Sequence, residues 1–288
     1  MRSFHFLVNP SSGGGAAPAA VVPVARILRD AGADVEVTYS PGPRECRSLV
    51  ATSVAGGRVV VAVGGDGMVG SLAGSVVENH GVFGIVPSGR GNDFARQLGL
   101  SNEPDEIAAT LLKAKVRAVD VIDVDGHVVV GSVYAGVDSR ASELVNRAHR
   151  LPKTLQYPYA AVRALASYKP AAFRIEIDGD IHEHEAATVV VANSGYYGKG
   201  MHIAPGASLD DGLLDVVVVR AASKLQLIRS MPKLYDGTHI ELDEVLMFRG
   251  SEIVISAESP VSAFGDGEPI ALLPVRAQVL PGALQVLG

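Results

Sequence analysis

At residues 58–69 the chain reads RVVVAVGGDGMV, an unbroken apolar run followed at once by a glycine-rich turn. The run predicts a buried strand over 58–63, and the segment after the turn has helical character over 68–79. In an open α/β sheet, ligands bind beyond the carboxyl ends of the strands, where this turn lies. The stretch therefore predicts a strand, a ligand-binding turn and a helix in succession.

The segments on either side repeat this alternation of strand and helix. Apolar strands are predicted over 4–8, 34–39 and 82–86, and helices over the residues up to 30 and over 44–55. Each strand of this half is followed by a helix, an order that is typical of a parallel sheet. We therefore expect residues 1–120 to form a doubly wound α/β domain.

The second half has a different pattern, in which strands follow one another without regular helices between most of them. Strands are predicted over 116–124, 127–137, 173–177, 187–192, 213–219, 252–256 and 275–280, and residues 142–168 are expected to be helical or irregular. This pattern favours a β-rich second domain over 121–274, with residues 275–288 returning to the first domain.

Glycine-rich turns follow three of the predicted parallel strands, at 9–15, 64–67 and 87–93. Glycines let backbone N–H groups approach a phosphate closely. A carboxylate such as Asp66 repels phosphate, so its useful role would be to hold Mg²⁺ against it. Taken alone, Gly64-Gly65-Asp66-Gly67 also suits a tight turn in which Asp66 caps the helix. Three such turns at one edge exceed what turn chemistry requires and favour a phosphate site.

Composition excludes several classes of function. The 288 residues are 48% hydrophobic and carry a net charge of −6, which argues against nonspecific nucleic-acid binding. Cys46 is the single cysteine, so neither an internal disulfide nor a thiolate zinc site is expected. No apolar run reaches the length of a signal peptide or a membrane span. We expect a cytoplasmic protein that is at most peripheral to the inner face of the membrane.

Six short motifs in order resemble those of the diacylglycerol kinase and sphingosine kinase catalytic-domain family. They are Asn9-Pro10-x-Ser12-Gly13-Gly14, Gly64-Gly65-Asp66-Gly67, Pro87-Ser88-Gly89-Arg90-Gly91-Asn92-Asp93-Phe94-Ala95-Arg96, Asp120-Val121-Ile122-Asp123, Ala204-Pro205-x-Ala207-Ser208-x-x-Asp211-Gly212-Leu213-Leu214-Asp215-Val216 and Gly265-Asp266-Gly267-Glu268. Each motif is short, but together they cover nearly the whole chain.

The resemblance implies an ATP-dependent lipid kinase with a nucleotide-binding α/β domain, a β-sandwich-like second domain and catalysis in the cleft between them. The implied ATP contacts are Asn9, Ser40, Gly64, Gly65, Gly67, Met68, Val69, Gly70, Arg90 and Asn92. Asp66, Asp93 and Asp120 would organise Mg²⁺ beside the phosphates. Asp211, with the main-chain carbonyls of Ser208 and Leu213, would bind a second, structural Mg²⁺.

Glu268 matches the family's general base, which accepts the proton of the lipid hydroxyl as the γ-phosphoryl group moves. Taken alone, Asp266-Gly267-Glu268 is more typical of a surface hairpin turn. Three places depart from the family pattern: Met68 and Arg90 stand where threonine is usual, and Gly70-Ser71 stand where Asn-Glu is common. A guanidinium can bind phosphate, so Arg90 could compensate for the hydroxyl that Met68 lacks.

The lipid side is predicted from a stretch without acidic residues, 144–175, which mixes basic side chains with tyrosine and leucine. Such a mixture suits an anionic membrane surface, although a solvated helical pair would have the same composition. Diacylglycerol is the acceptor we expect. An NAD kinase, a sphingoid-base or ceramide kinase, and a non-catalytic lipid- or nucleotide-binding protein stay open, as does a homodimer.

Overall fold

The amino-terminal half of the chain forms a four-stranded parallel sheet covered by helices. In this computed structural model the described residues are 2–40, 42–147, 163–164 and 168–288, with only the backbone at 43, 44 and 145–147. The strands are β1 (Ser3–Val8), β2 (Asp34–Tyr39), β3 (Val59–Gly64) and β4 (Val82–Pro87). The helices are α1 (Ala17–Asp30), α2 (Pro43–Ala55), α3 (Asp66–Glu78), α4 (Asp93–Gln97) and α5 (Pro104–Lys113). A 3₁₀ turn covers Ser12–Gly14.

The register of this sheet brings the ends of the strands together. Its order is β4-β3-β1-β2, and Val8 pairs with Tyr39 on one side and Val63 on the other, while Gly64 pairs with Pro87. The carboxyl ends of the four strands therefore meet at one edge. Apolar side chains of α1 and α5 pack on one face of the sheet, and those of α2, α3 and α4 pack on the other.

The second half is built mainly from antiparallel strands. They are β5 (Val116–Val124), β6 (His127–Val129), β7 (Ser132–Gly136), β8 (Ala171–Ile177), β9 (Asp180–Ala192), β10 (Tyr196–Tyr197), β11 (Met201–His202), β12 (Leu214–Arg220), β13 (Val245–Gly250), β14 (Glu252–Ala257), β15 (Ser262–Gly265), β16 (Glu268–Leu272) and β17 (Val275–Leu287). The second half also contains helices α6 (Val137–Arg147), α7 (Lys224–Ser230) and α8 (Lys233–Asp236) and a 3₁₀ helix (Thr238–Glu241), and residues 163–164 are helical as well. No described helix is long and apolar enough to cross a bilayer.

The side chains on one face of these strands form a large apolar core, and those on the other face of β7, β9, β12 and β15 form a smaller cluster. Ile122, Phe173, Val189, Val216 and Ile253 come from five different strands and are all buried in the large core. Because side chains alternate between the faces of a strand, each strand contributes every second residue. This packing gives the second half its sandwich-like character.

Strand β17 links the two halves. It pairs antiparallel with β14 and β5, and its last residues, Gln285 and Val286, pair in parallel with Val82 and Phe83 of β4. Hydrogen bonding is therefore continuous from the first sheet into the second half. A ligand that binds between the two halves would therefore contact parts of the chain that β17 connects through its hydrogen bonds.

One predicted strand is wrong. The sequence predicts a single strand over 127–137, and the structure has two, β6 and β7, separated at Val130 and Gly131. The N–H groups of Val130, Gly131 and Ser132 are all donated to the carboxylate of Asp266. The ladder is interrupted because a distant side chain takes its donors.

Candidate active site

The glycine-rich turns after β1, β3 and β4 touch one another at the carboxyl edge of the sheet. A Cβ atom on Gly89 would lie 2.4 Å from the Cα of Gly65, and one on Gly13 would lie 2.2 Å from the carbonyl oxygen of Ser88. Contacts that short exclude any side chain. Glycine at these positions therefore allows the three turns to converge where the sequence predicts a phosphate site.

Asp66, the first residue of α3, joins the turn after β3 to the turn after β4. Its Oδ2 accepts the N–H of Asn92 at 2.9 Å, and its Oδ1 accepts the N–H of Asp93 at 2.6 Å. Asn92 has a left-handed φ of 51°, and its side-chain Oδ1 accepts the N–H of Gly89 at 2.8 Å. These bonds fix the second turn against the first.

Asp93 links the first half to the second. Its Oδ2 accepts the N–H of Lys199 at 2.8 Å and its Oδ1 that of Gly200 at 2.6 Å, in the turn between β10 and β11. Burial raises the pKa of this carboxyl, and the nearby negative charge of Asp66 raises it further. Gln97, on the same short helix, bonds the backbone of Gly195 and Ala207.

Asp120, on β5, is almost fully buried and makes a similar pair of bonds. Its Oδ1 accepts the N–H of Gly282 at 2.7 Å and its Oδ2 that of Gly212 at 2.8 Å. Gly282 lies where the register between β17 and β5 shifts, and Gly212 directly follows Asp211. In the structure Asp120 therefore organises the backbone around the predicted second metal loop.

The segment Gly265-Asp266-Gly267-Glu268 is a hairpin turn, and it also lies against the first half. Asp266 and Gly267, with φ values of 50° and 90°, connect β15 to β16. The Asp266 carboxylate accepts three backbone N–H groups at the β6–β7 break, and a Cβ on Gly70 of α3 would lie 3.3 Å from its Oδ2. Burial raises the pKa of Asp266 to about 6. Glu268 is exposed beside this turn.

The other predicted ATP contacts lie in varied surroundings. The side chain of Asn9 accepts two bonds from Ser11, and the Ser40 hydroxyl lies 3.1 Å from the Cys46 sulfur. The side chains of Met68 and Val69 are buried in the core beneath α3, so neither presents a side-chain group to a ligand. The idea that Arg90 compensates for Met68 therefore has no geometric support.

The residues predicted to hold Mg²⁺ fit the ion unequally. No three His, Cys, Asp or Glu side chains cluster as a metal site in the described part of the chain. Asp66 still fits, because Mg²⁺ is commonly held by one or two carboxylates together with waters and substrate phosphates. At the predicted second site, Asp211 is paired with the Arg249 guanidinium, which also lies 3.5 Å from Asp215. That arrangement does not fit a metal ion.

Sequence reasoning missed a cavity of about 300 Å³ in the second half. It lies between β9, the end of β12 and helices α7 and α8, and its lining includes Ile203, Leu227, Met231, Leu234 and Val245. In its lining the Asp138 carboxylate accepts hydrogen bonds from the Tyr197 hydroxyl at 2.9 Å and the Thr188 hydroxyl at 3.1 Å. Burial raises the pKa of Asp138. Tyr197, the second of two adjacent tyrosines in the sequence, belongs to the lining of this cavity.

Comparison with known proteins matches both halves of the chain. Residues 3–124 match a family described as the diacylglycerol kinase catalytic domain, and residues 131–288 match the YegS C-terminal NAD kinase beta sandwich-like domain. A diacylglycerol kinase of Mycobacterium tuberculosis is 32% identical over 98% of this chain and 93% of its own. One from Bacillus subtilis is 27% identical over 75% of this chain and 73% of its own.

Solved structures share the fold. A crystal structure of a diacylglycerol kinase from Bacillus anthracis str. Sterne has a TM-score of 0.74 and 20% identity, over 99% of this chain and 96% of that one. A second crystal structure from that organism has a TM-score of 0.82 and 23% identity, over 99% of this chain and 94% of that one. The chain therefore shares its fold, an α/β domain followed by a sandwich-like domain, with these two crystal structures.

Proposed function

The chain belongs to the diacylglycerol kinase family of lipid kinases, and from that premise we propose that it transfers the γ-phosphoryl group of ATP to the free hydroxyl of diacylglycerol, forming phosphatidic acid. The observation that carries the proposal is the contact of the β15–β16 turn with Gly70 of α3. That contact brings Glu268 of the second half towards the helix that begins at Asp66.

The nucleotide side is supported by the converging glycine turns. The amino end of α3 and the exposed backbone of Gly67 offer N–H groups to the phosphates of ATP. Asp66 would hold Mg²⁺ in company with those phosphates, and the ion would neutralise charge on the transferred group. Asp93 would act one step away, by fixing the turn at Lys199 and Gly200 against the turn that follows β4. Asp120 would act further off, by fixing the backbone at Gly212 and Gly282.

Glu268 would serve as the general base. The proton of the lipid hydroxyl moves to its carboxylate while the hydroxyl oxygen forms a bond to the γ-phosphorus. The bond between the γ-phosphorus and its bridging oxygen breaks, and ADP leaves with that oxygen. Because phosphoryl transfer depends mainly on positioning and charge stabilisation, the base must be held within hydrogen-bond reach of the hydroxyl. Asp266 would help to hold Glu268 in place, because its three hydrogen bonds anchor the turn that directly precedes Glu268.

The lipid side is supported by the cavity between β9, β12, α7 and α8. Its volume is at the lower end of the range of ligand pockets, and the surface that lines it is mostly apolar, although polar side chains such as Asp138 and Glu244 also contribute to it. Acyl chains of the acceptor are the occupants that this chemistry favours. Glutamine, lysine and arginine side chains of α7 and α8 at its rim (Gln226, Arg229 and Lys233) suit the polar boundary of a membrane.

Contact with the inner face of the membrane belongs to the same proposal. Most of the basic stretch 144–175 lies outside the described residues, so its support is the sequence alone. Salt-sensitive binding to anionic vesicles is its expected signature. A cytoplasmic location and a homodimer stay predictions.

A kinase assay over a panel of acceptors tests the proposal. The purified chain is given Mg²⁺ and ATP labelled at the γ-phosphate, with diacylglycerol, ceramide, a sphingoid base or NAD in parallel. We expect label in phosphatidic acid at a rate well above that of any other product. Preferential labelling of another acceptor would refute the substrate assignment, and no labelled product from any acceptor would favour a non-catalytic binding protein.

A further inference from the structure

We propose that Lys199, on the turn between β10 and β11, contacts the γ-phosphoryl group of the nucleotide together with Arg90. Each half of the chain would then supply one cation to the group that is transferred. The inference rests on the proposed phosphoryl transfer and adds to it a residue that the sequence motifs do not mark.

The backbone of Lys199 lies directly on the turn that follows β4. Its Cα is 3.3 Å from the position that a Cβ on Gly91 would take. Its N–H is donated to Asp93, whose own N–H is donated to Asp66. Lys199 is therefore two hydrogen-bonded steps from the carboxylate that would hold the metal ion, although it belongs to the other half of the chain.

Lys199 occupies a backbone conformation that glycine would adopt more easily. Its φ is 72°, and the flanking Gly198 and Gly200 have φ values of 57° and 90°. A side chain other than asparagine or aspartate is uncommon in this region and costs conformational energy. Strained residues of this kind cluster at functional sites, where the surrounding structure maintains them. The bonds of Asp93 to Lys199 and Gly200 supply that support.

The charges around Lys199 suit a polyphosphate. Partial burial lowers the pKa of its ammonium group, the positive charge of Arg90 lowers it further, and Asp93 opposes both. Arg90 is exposed on the turn after β4. An anion between the two cations would relieve their repulsion, and a lysine and an arginine together match the charge that spreads over the phosphoryl oxygens in the transition state.

A simpler role for Lys199 would be to neutralise Asp93 and Asp66 without touching the nucleotide. The two roles differ in which nucleotide they affect. A contact with the γ-phosphate strengthens binding of a triphosphate and leaves a diphosphate unaffected. General charge neutralisation affects both nucleotides, or neither.

Binding of ADP and of a non-hydrolysable ATP analogue, each with Mg²⁺, measures this difference by calorimetry. Lys199→Gly keeps the left-handed turn without strain and should reduce the preference for the triphosphate analogue roughly 10- to 100-fold, the effect expected for one charged hydrogen bond. Lys199→Arg should retain most of the preference. Lys115→Gly is the matched control, because Lys115 is an exposed lysine between α5 and β5, outside the three glycine-rich turns.

An unchanged triphosphate preference in Lys199→Gly, or equal weakening of both nucleotides, would overturn the inference. The outcome is separable from that of the proposed function. Suppose that the wild type prefers the triphosphate, that Lys199→Gly loses this preference, and that the wild type phosphorylates no diacylglycerol. The contact of Lys199 with the γ-phosphoryl group then stands, and the assignment of the acceptor fails. If the wild type phosphorylates diacylglycerol and Lys199→Gly keeps the preference for the triphosphate, only the proposed contact of Lys199 with the γ-phosphoryl group fails.

Discussion

Replacement of Asp266 by asparagine should make the stability of this protein depend differently on pH. The Asp266 carboxylate is largely enclosed and accepts three backbone N–H groups, and its pKa is raised from 3.8 to about 6. Burial is the main cause, because it penalises the charged form more than the hydrogen bonds favour it. Asparagine has nearly the same shape and does not ionise in this range.

The sign of the effect follows from the raised pKa. Well below pH 3.8 both the folded and the unfolded chain carry a protonated Asp266, so its ionisation costs nothing. As pH rises through the interval from 3.8 to about 6, the unfolded chain releases the proton first, and folding becomes less favourable. The cost is about 1 to 2 kcal/mol at pH 5 and about 3 kcal/mol above pH 7.

Urea unfolding of the wild type and of Asp266→Asn, compared at each pH between 5 and 7.5, isolates this group because the other titrations are shared. The amide loses one acceptor oxygen, which lowers the stability of the variant by a roughly constant amount. On top of that offset, the advantage of the wild type should shrink by about 1 to 2 kcal/mol from pH 5 to pH 7.5. A difference that stays constant, or grows with pH, would refute the reasoning.

Two other substitutions test the packing of the site. Gly89→Ala should destabilise the fold by about 1–3 kcal/mol in urea unfolding, because the added Cβ would collide with Gly65. In the control Gly67→Ala the added Cβ has no atom within 4 Å, so the loss of stability should be less than about 1 kcal/mol. Equal losses in the two variants would contradict the contact between the turns. Leu227→Trp narrows the cavity and should slow phosphorylation of long-chain diacylglycerol more than that of short-chain diacylglycerol. Leu225 is 55% exposed on the same helix, so the control Leu225→Trp should change neither rate. If Leu227→Trp and the wild type depend on chain length in the same way, the cavity does not bind the acyl chains.

The parallel half of the fold is readable from the sequence because its strands are short, continuous apolar runs. The predicted strand 34–39 matches β2 at both ends, and the predictions 4–8 and 82–86 are each one residue shorter than β1 and β4. The prediction 58–63 is shifted by one residue from β3 at both ends. Buried strands between glycine-rich turns have few alternative structures. Local pattern is sufficient there because both faces of the sheet are covered by helices.

The roles of the aspartates could not be read in the same way. The family motifs imply that Asp66 and Asp93 organise Mg²⁺, whereas in the structure each carboxylate accepts two backbone N–H groups from another segment. Their donors lie 26 to 107 residues away along the chain. A sequence shows where a carboxylate is, but the backbone donors it meets depend on the tertiary fold.

The same limit explains the break between β6 and β7 and the place of Lys199. The apolar alternation over 127–137 favours one strand, and the side chain that interrupts it is 134 to 136 residues distant. Lys199 follows a glycine in a loop without a recognisable motif, so nothing local distinguishes it from a solvated lysine. Only the position of its turn against Gly91 does so.

Transfer of label from γ-labelled ATP to diacylglycerol vesicles, measured for the wild type, Glu268→Gln and Glu258→Gln, tests the central claim most directly. Glu258 is an exposed glutamate between β14 and β15 and serves as the matched control. We predict that wild type and Glu258→Gln label phosphatidic acid at similar rates. Glu268→Gln should be slower by about 10²- to 10⁴-fold, with ATP affinity unchanged. A wild-type rate in Glu268→Gln, or no lipid phosphorylation by the wild type, would contradict the account.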